Sequence, residues 1–337
     1  MFRIPAIILL IFVASWAWHP VSSEAAHYTI ATGSKGATFY PLAKAICKEV
    51  ARLRIGFTCE AVSTPGSVFN LKALQRGDFD LAFSQSYLLA RAAQGEPPFT
   101  DRHDNIRAIA TLHLEVFTLA IRPNSGVIQL DDLLGRRVNI GNQGSGSRAT
   151  IEQLLQSLDW SPAAFSAHDL KSADIPAALC GGQIDAAIYS TGHPNDIYRR
   201  MIDDCDVRLV DLWSDKVEKF VDANWQYESA VLPADTYSNQ SLPVRGFGTR
   251  VILSGSVSLP DCHVAGLLRA IREGRVRLLE AVPAARSIPL KAEADVPGAT
   301  THPGVLGACA EHPKHNLHVD ESSAFRPYRQ VVADVLN

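Results

Sequence analysis

Residues 141–148, Gly-Asn-Gln-Gly-Ser-Gly-Ser-Arg, place backbone N–H groups, the Asn142 amide and the hydroxyls of Ser145 and Ser147 between a short apolar run and a helix start. A helix N-terminus carries unpaired N–H donors and the positive end of the helix dipole, so this loop, Gly146 included, suits a small anion. It lacks the Gly-Lys-Ser/Thr ending of a nucleotide P-loop and the spacing of a dinucleotide fingerprint, and no cofactor is expected. A glycine-rich turn with a serine cap is the plainer alternative. Arg148 falls in the first helical turn, where a cation opposes the dipole at a cost of about 0.3 kcal/mol or more. Either a ligand carboxylate offsets that charge or the guanidinium is solvated. Lys35, in the loop of Gly33, Ser34, Lys35 and Gly36, has the same two readings.

Other polar residues cluster at predicted loop and helix starts. Thr64, Gly66, Ser67 and Asn70 open a helix carrying Val68, Leu71 and Leu74, as donors to a ligand or as cap residues. Gln85 and Ser86 follow one short apolar strand, and Tyr189, Thr191 and His193 follow another, where an aromatic wall and a neutral donor would suit a small amphoteric ligand. A histidine in a turn also serves as an ordinary hydrogen-bonding residue. His312, His315 and His318 recur every third residue, but Pro313 breaks the helix that would align them, so no metal site is expected. No G-x-S-x-G elbow and no H-E-x-x-H occurs.

These loops need elements to hold them, and the chain supplies the same set twice. A strand at 28–32, a G-x-x-G turn at 33–36 and a helix from Thr38 onward, with Leu42, Ile46, Val50 and Leu53 near one face, form one unit. The strand at 138–140, the G-x-x-G turn at 141–144 and a helix bearing Ile151, Leu154, Leu155 and Leu158 form the second. Residues 73–83 and 178–188 then share the pattern A-L-x-x-G-x-Φ-D-x-A-Φ, where Φ is apolar: a helix ends on a glycine in the left-handed C′ position and a buried strand follows. Two similar α/β lobes follow, with mostly parallel sheets whose C-terminal strand ends converge on one cleft. The extended segments 112–121 and 250–254 are candidate crossings. They divide the chain into a first lobe of 26–120 plus 250–337 and a second lobe of 121–249, with a hinge between.

Composition agrees with a globular protein: 337 residues, 47% hydrophobic, and a formal net charge of −3 with no basic block, which sets aside binding of nucleic acid through phosphate neutralisation. Residues 4–18 are apolar, follow Arg3 and lead to Ser23 and Ala25, the order of a secretory signal peptide over 1–25; an uncleaved anchor is the alternative. Export to an oxidising compartment makes the six cysteines disulfide candidates, paired by proximity as Cys47 with Cys59, Cys180 with Cys205 and Cys262 with Cys309. Reduced, buried thiols are the other possibility.

Residues 33–41 (GSKGATFYP), 64–85 (TPGSVFNLKALQRGDFDLAFSQ), 130–147 (LDDLLGRRVNIGNQGSGS), 184–194 (IDAAIYSTGHP) and His302-Pro303-Gly304 resemble, in order, the TAXI family of solute receptors serving TRAP transporters. The resemblance implies a two-lobed type II periplasmic-binding-protein fold, no catalysis, and delivery of a small solute, often glutamate or a related carboxylate, to an ion-driven membrane permease. It adds Thr38 and Tyr40 to the expected ligand-binding residues. Where family members often carry Gly-Thr-Tyr-Tyr-Pro, this chain has Ala37-Thr38-Phe39-Tyr40-Pro41, losing one aromatic hydroxyl. Lys35 and Arg148 lie outside the family pattern and point to a more acidic ligand such as a dicarboxylate. Two rival readings are an exported hydrolase on a related two-lobed fold and the receptor of an ATP-driven importer.

Overall fold

The computed structural model describes residues 25–161 and 163–307. The signal-peptide reading (all but Ala25), Cys309 and the three histidines of the C-terminal segment lie outside the described residues. The chain runs β1 (Ala26–Ala31), α1 (Phe39–Leu53), β2 (Phe57–Val62), α2 (Ser67–Arg76), β3 (Leu81–Gln85), α3 (Ser86–Gln94) and β4 (Ile106–Ile121). Then come β5 (Arg137–Asn139), α4 (Gly146–Ser157), β6 (Ser166–His168), α5 (Ile175–Cys180), β7 (Ala186–Thr191), α6 (Asp196–Cys205), β8 (Arg208–Val210), α7 (Asp215–Asp222) and β9 (Glu228–Leu232). β10 (Val244–Ser256), α8 (Asp261–Glu273) and α9 (Arg275–Ala281) complete it.

The strands form one sheet in the order β2-β1-β3-β10-β4-β7-β5-β6, with β8 on β4 and β9 on β10. The repeat read from sequence is realised in this order. In each unit the first strand is central and parallel to the two that follow it, β1 between β2 and β3, and β5 between β6 and β7. Parallel strands need crossover helices, and these are what α1, α2, α4 and α5 provide. The glycines that end the repeated helices are left-handed, Gly77 at φ +79° and Gly182 at φ +70°. The repeated aspartates do the same work in each unit. Asp80 accepts from the backbone N of Thr29 at 2.8 Å, and Asp185 from the backbone N of Arg137 at 3.1 Å, so each ties its buried strand to the neighbouring first strand. The Arg137 and Arg122 guanidiniums hold the Asp185 carboxyl well below the usual carboxylate range.

β4 and β10 are antiparallel and longer than the segments 112–121 and 250–254 suggest. The expected boundaries at 120/121 and 249/250 fall inside these two strands. β10 pairs with β9 through residues 244–248 and with β3 through 251–255. β4 pairs with β7 only from Val116 onward, while its earlier half is covered by chain from the C-terminal part, where Ala108 N donates to the Thr300 carbonyl and Thr111 N to that of Ala292. α1 and α8 bury Leu42, Ile46, Val50, Leu267 and Ile271 against Phe83, Val251 and Leu253. Glu49, buried on α1, accepts from Arg277 on α9 at 2.7 Å and from Arg52 at 2.7 Å, which hold its carboxyl down at about 2.

Disulfides join Cys47 of α1 to Cys59 of β2 and Cys180 of α5 to Cys205 of α6, with Cα separations of 5.2 and 5.5 Å. Closing loops of this size removes about 3 kcal/mol of unfolded-state entropy each. Those four cysteines should therefore resist alkylation in the oxidised protein until reductant is added, and Cys47→Ser/Cys59→Ser should lower the melting temperature by several degrees; peptide mapping and thermal melts check both.

Candidate ligand-binding cleft

The C-terminal ends of β1, β2, β3, β5, β6 and β7 open onto one cleft of 690 Å³, walled by the loops that follow them. Eleven of the residues expected to bind a ligand line it: Gly33, Ser34, Thr64, Gly66, Ser67, Gln85, Asn142, Ser145, Gly146, Ser147 and Tyr189. The two α/β units meet across it. The first-turn N–H groups of Val68 and Phe69 both donate to the Gly144 carbonyl at 3.1 Å, and Asn142 Nδ2 donates to the Pro65 carbonyl at 3.1 Å. The N-terminus of α2 is thus capped by the opposite loop rather than by its own residues. Gly66 sits at φ +124°, and a Cβ there would lie 3.2 Å from Ser145 Cα, so only glycine lets these loops approach so closely.

The remaining eight expected residues are not on the cleft wall. Arg148 donates from Nε to Glu152 at 2.6 Å and from Nη1 to the Gly141 carbonyl at 3.3 Å. Within the protein, the negative group beside it is a glutamate one turn further along α4. Lys35 is exposed, and Tyr40 is half-buried with Lys44 over its ring. Thr38 and Thr191 bond each other through their hydroxyls at 2.9 Å behind the cleft, joining the two units. Asn70 is fully buried, donates to the carbonyls of Thr32 and Phe83 and accepts from the Thr64 hydroxyl, holding the loop that bears Thr64. Ser86 meets Thr249 at 3.3 Å. His193 packs on Tyr198 and pairs through Nδ1 with the Tyr237 hydroxyl at 2.7 Å, and burial pulls its pKa down to about 3.

The sequence reading passed over Glu115, Ser190, Asp169, Lys171, Ser172 and the apolar wall of Phe39, Phe69 and Phe79. Glu115 is 6% exposed at the floor of the cleft, on β4 immediately before the pairing with β7 begins. Gln85 Nε2 donates to its Oε2 at 2.8 Å and Ser190 Oγ at 3.3 Å. Ser190 in turn meets Ser147 at 2.7 Å, and the Thr150 hydroxyl donates to Gln85 Oε1 at 3.1 Å. Burial outweighs the two hydrogen bonds to the carboxylate and pushes Glu115 up to about 7. A signal for it was present: one charged residue inside the largely apolar stretch 114–121.

Two lobes with parallel ends, joined by two antiparallel crossing strands and enclosing a cleft at the strand C-termini, make this a type II periplasmic-binding-protein fold. The structure reported for glutathione import through GshT and the cystine importer TcyBC of Streptococcus mutans matches with a TM-score of 0.52 at 12% identity, over 79% of this chain and 98% of that one. A putative L-cystine ABC transporter component from Listeria monocytogenes matches with a TM-score of 0.51 at 14% identity, over 79% and 99%. A protein from Bordetella bronchiseptica RB50 matches with a TM-score of 0.50 at 17% identity, over 77% and 76%. The chain belongs to the NMT1-like family, whose model matches residues 30–308.

Two outcomes follow from the cleft's electrostatics. A buried carboxyl with a raised pKa favours the folded state below about pH 4.5 and loses that contribution as pH rises toward about 7, an effect of about 3 kcal/mol. Glu115→Gln should therefore gain stability relative to the parent between pH 4.5 and pH 8, read as the difference between paired denaturant titrations. Arg148→Ala removes an i,i+4 pair with an exposed partner, worth about 0.3 to 0.5 kcal/mol, so its thermal melt should nearly overlay that of the parent.

Proposed function

We propose that this chain is an exported solute receptor that closes on a small carboxylate-bearing molecule and delivers it to a membrane permease. The cleft carries this reading. It is of small-ligand size, drawn from both lobes, and built of hydroxyls, amides and aromatic rings. Lys171, exposed at its rim, makes no ion pair among the described residues and would meet a solute carboxylate there. Among the described residues, the lobes divide within β4 and β10, residues 26–120 with 250–307 in one and 121–249 in the other. β4 and β10 act as the hinge on which an open–closed equilibrium is shifted by the ligand.

The leader-like segment 1–25 supports a periplasmic location, and among the described residues no helix is long and apolar enough to cross a membrane. For the permease, the five motifs resembling TAXI receptors favour an ion-driven TRAP-type partner that takes glutamate or a related carboxylate. An ATP-driven importer is the second reading, favoured by the ABC importers named for the Listeria and Streptococcus structures. The genes flanking this one separate the two. Calorimetry against a panel of carboxylates separates receptor from enzyme: unchanged solute bound at micromolar levels supports the receptor, and turnover overturns it.

The closed arrangement has its own test. Gly66→Ala places a methyl against the Ser145 backbone, whereas at Gly77, also at positive φ, a Cβ meets nothing within 4 Å. Both variants should lose stability, but only Gly66→Ala should weaken solute binding, by tenfold or more, and enlarge the radius of gyration of the solute-saturated protein in X-ray scattering.

A further inference from the structure

We propose that Glu115 receives a protonated amine of the solute, so that the cleft selects amino acids and excludes dicarboxylates that lack an amine. This rests on the receptor reading and narrows its substrate class. The carboxylate is nine-tenths buried yet lines the cleft. Its hydrogen bonds from protein, those of Gln85 and Ser190, both end on Oε2. Oε1 takes none among the described residues. Oε1 is not one of the buried polar atoms left without a partner, so it opens to the cleft space, where a solute ammonium would supply both a donor and the opposite charge. Among the described residues, the carboxyl and amine side chains lining the cleft are Glu115, Asp169 and Lys171, two acids and one base, a balance that suits a zwitterion better than a dianion. Glu115 also lies where β4 changes partners, bonded to Gln85 of the first unit and Ser190 of the second. An amine seated on it would be held at the hinge, between the two lobes.

A rival arrangement uses the same atoms with the proton reversed: Glu115 stays protonated and donates to a solute carboxylate. The two differ in the sign of their pH dependence. An ammonium pairs with ionised Glu115, so with a carboxyl near pH 7 affinity rises about tenfold between pH 6 and pH 8; a carboxylate needs the protonated form, so affinity falls over the same interval. The other titratable groups around Glu115 are His113 on β4, which burial holds uncharged with a pKa of about 3, and Tyr87 and Tyr189, which burial raises above the usual range. Arg250 on β10, ion-paired with Glu228 at 2.7 Å, lies near His113, and Asp169 and Lys171 stand at the rim.

The test is calorimetry at pH 6 and pH 8 with the common L-amino acids, their deaminated 2-oxo acids, and succinate and glutarate as amine-free dicarboxylates. The parent protein should bind one or more amino acids, about tenfold tighter at pH 8, and the matching amine-free acids at least tenfold more weakly. Glu115→Gln, which keeps an oxygen to accept from Gln85 and Ser190, should lose both the preference and the pH dependence. If that variant does not fold, the pH slope of the parent decides alone. An amine-free acid bound as tightly as any amino acid, or affinity that falls from pH 6 to pH 8, overturns this proposal and leaves the receptor reading standing. Binding of no acid of either kind overturns both.

Discussion

Two antiparallel strands, β4 and β10, run through both α/β units, and each changes partners partway along its length. β4 is shielded by the 292–302 segment over its first half and by β7 and β8 over its second; β10 pairs with β9 and then β3. A strand enclosed in this way is mostly apolar, and the polar side chains it does bury, such as Thr118, which donates to the Tyr198 hydroxyl, call for partners, because unpaired polar groups at such depth are costly. It must also leave its neighbours' loops free at the point where the partners change. That point is the cleft floor, and the one acidic side chain tolerated there, Glu115, is carried by a set of hydrogen bonds reaching into both units.

The duplicated unit explains why the loops face one another. Each copy places its first strand between the next two, ends its third strand with a polar residue, and anchors that strand with an aspartate bonded to the backbone of the first. With the crossing pair between the copies, the parallel strands of both direct their C-terminal ends, and the helix starts that follow, to the same space. The closeness of approach is then set by glycines: Gly66 against Ser145, and Gly146, where a Cβ would lie 2.7 Å from Ser67 Oγ. These contacts are between backbone and short side chains, so the two walls meet without long side chains filling the cavity.

The polar groups of the cleft divide into two kinds. Asn70, Thr38, Thr191 and His193 are spent on the scaffold, fixing loop positions from behind. Ser67, Gln85, Ser147, Ser190 and Glu115 form a connected set under the floor, in which the donors of one lobe satisfy acceptors of the other. Such a network is cooperative within a low-dielectric setting, and it is costly where one member lacks a partner. The second carboxylate oxygen of Glu115 is the member of the set that opens to the cleft.

Periodicity, glycine positions and the repeated A-L-x-x-G-x-Φ-D-x-A-Φ pattern were enough to read the α/β class, the duplication, the crossing segments and the loops that border the cleft, because each of these is set by local backbone preference and by which face of an element is apolar. Eleven cleft-lining residues could be located this way, since a loop after a buried strand has few places to go. The direction of individual side chains could not. Arg148 finds Glu152 one turn away, Asn70 turns inward to two carbonyls, and His193 is claimed by Tyr237, a residue 44 positions later. Glu115 was hidden for the opposite reason: along the chain it is one acid in a strand, and its meaning arises only when β3, β7 and α4, brought from distant stretches, surround it with donors and exclude water.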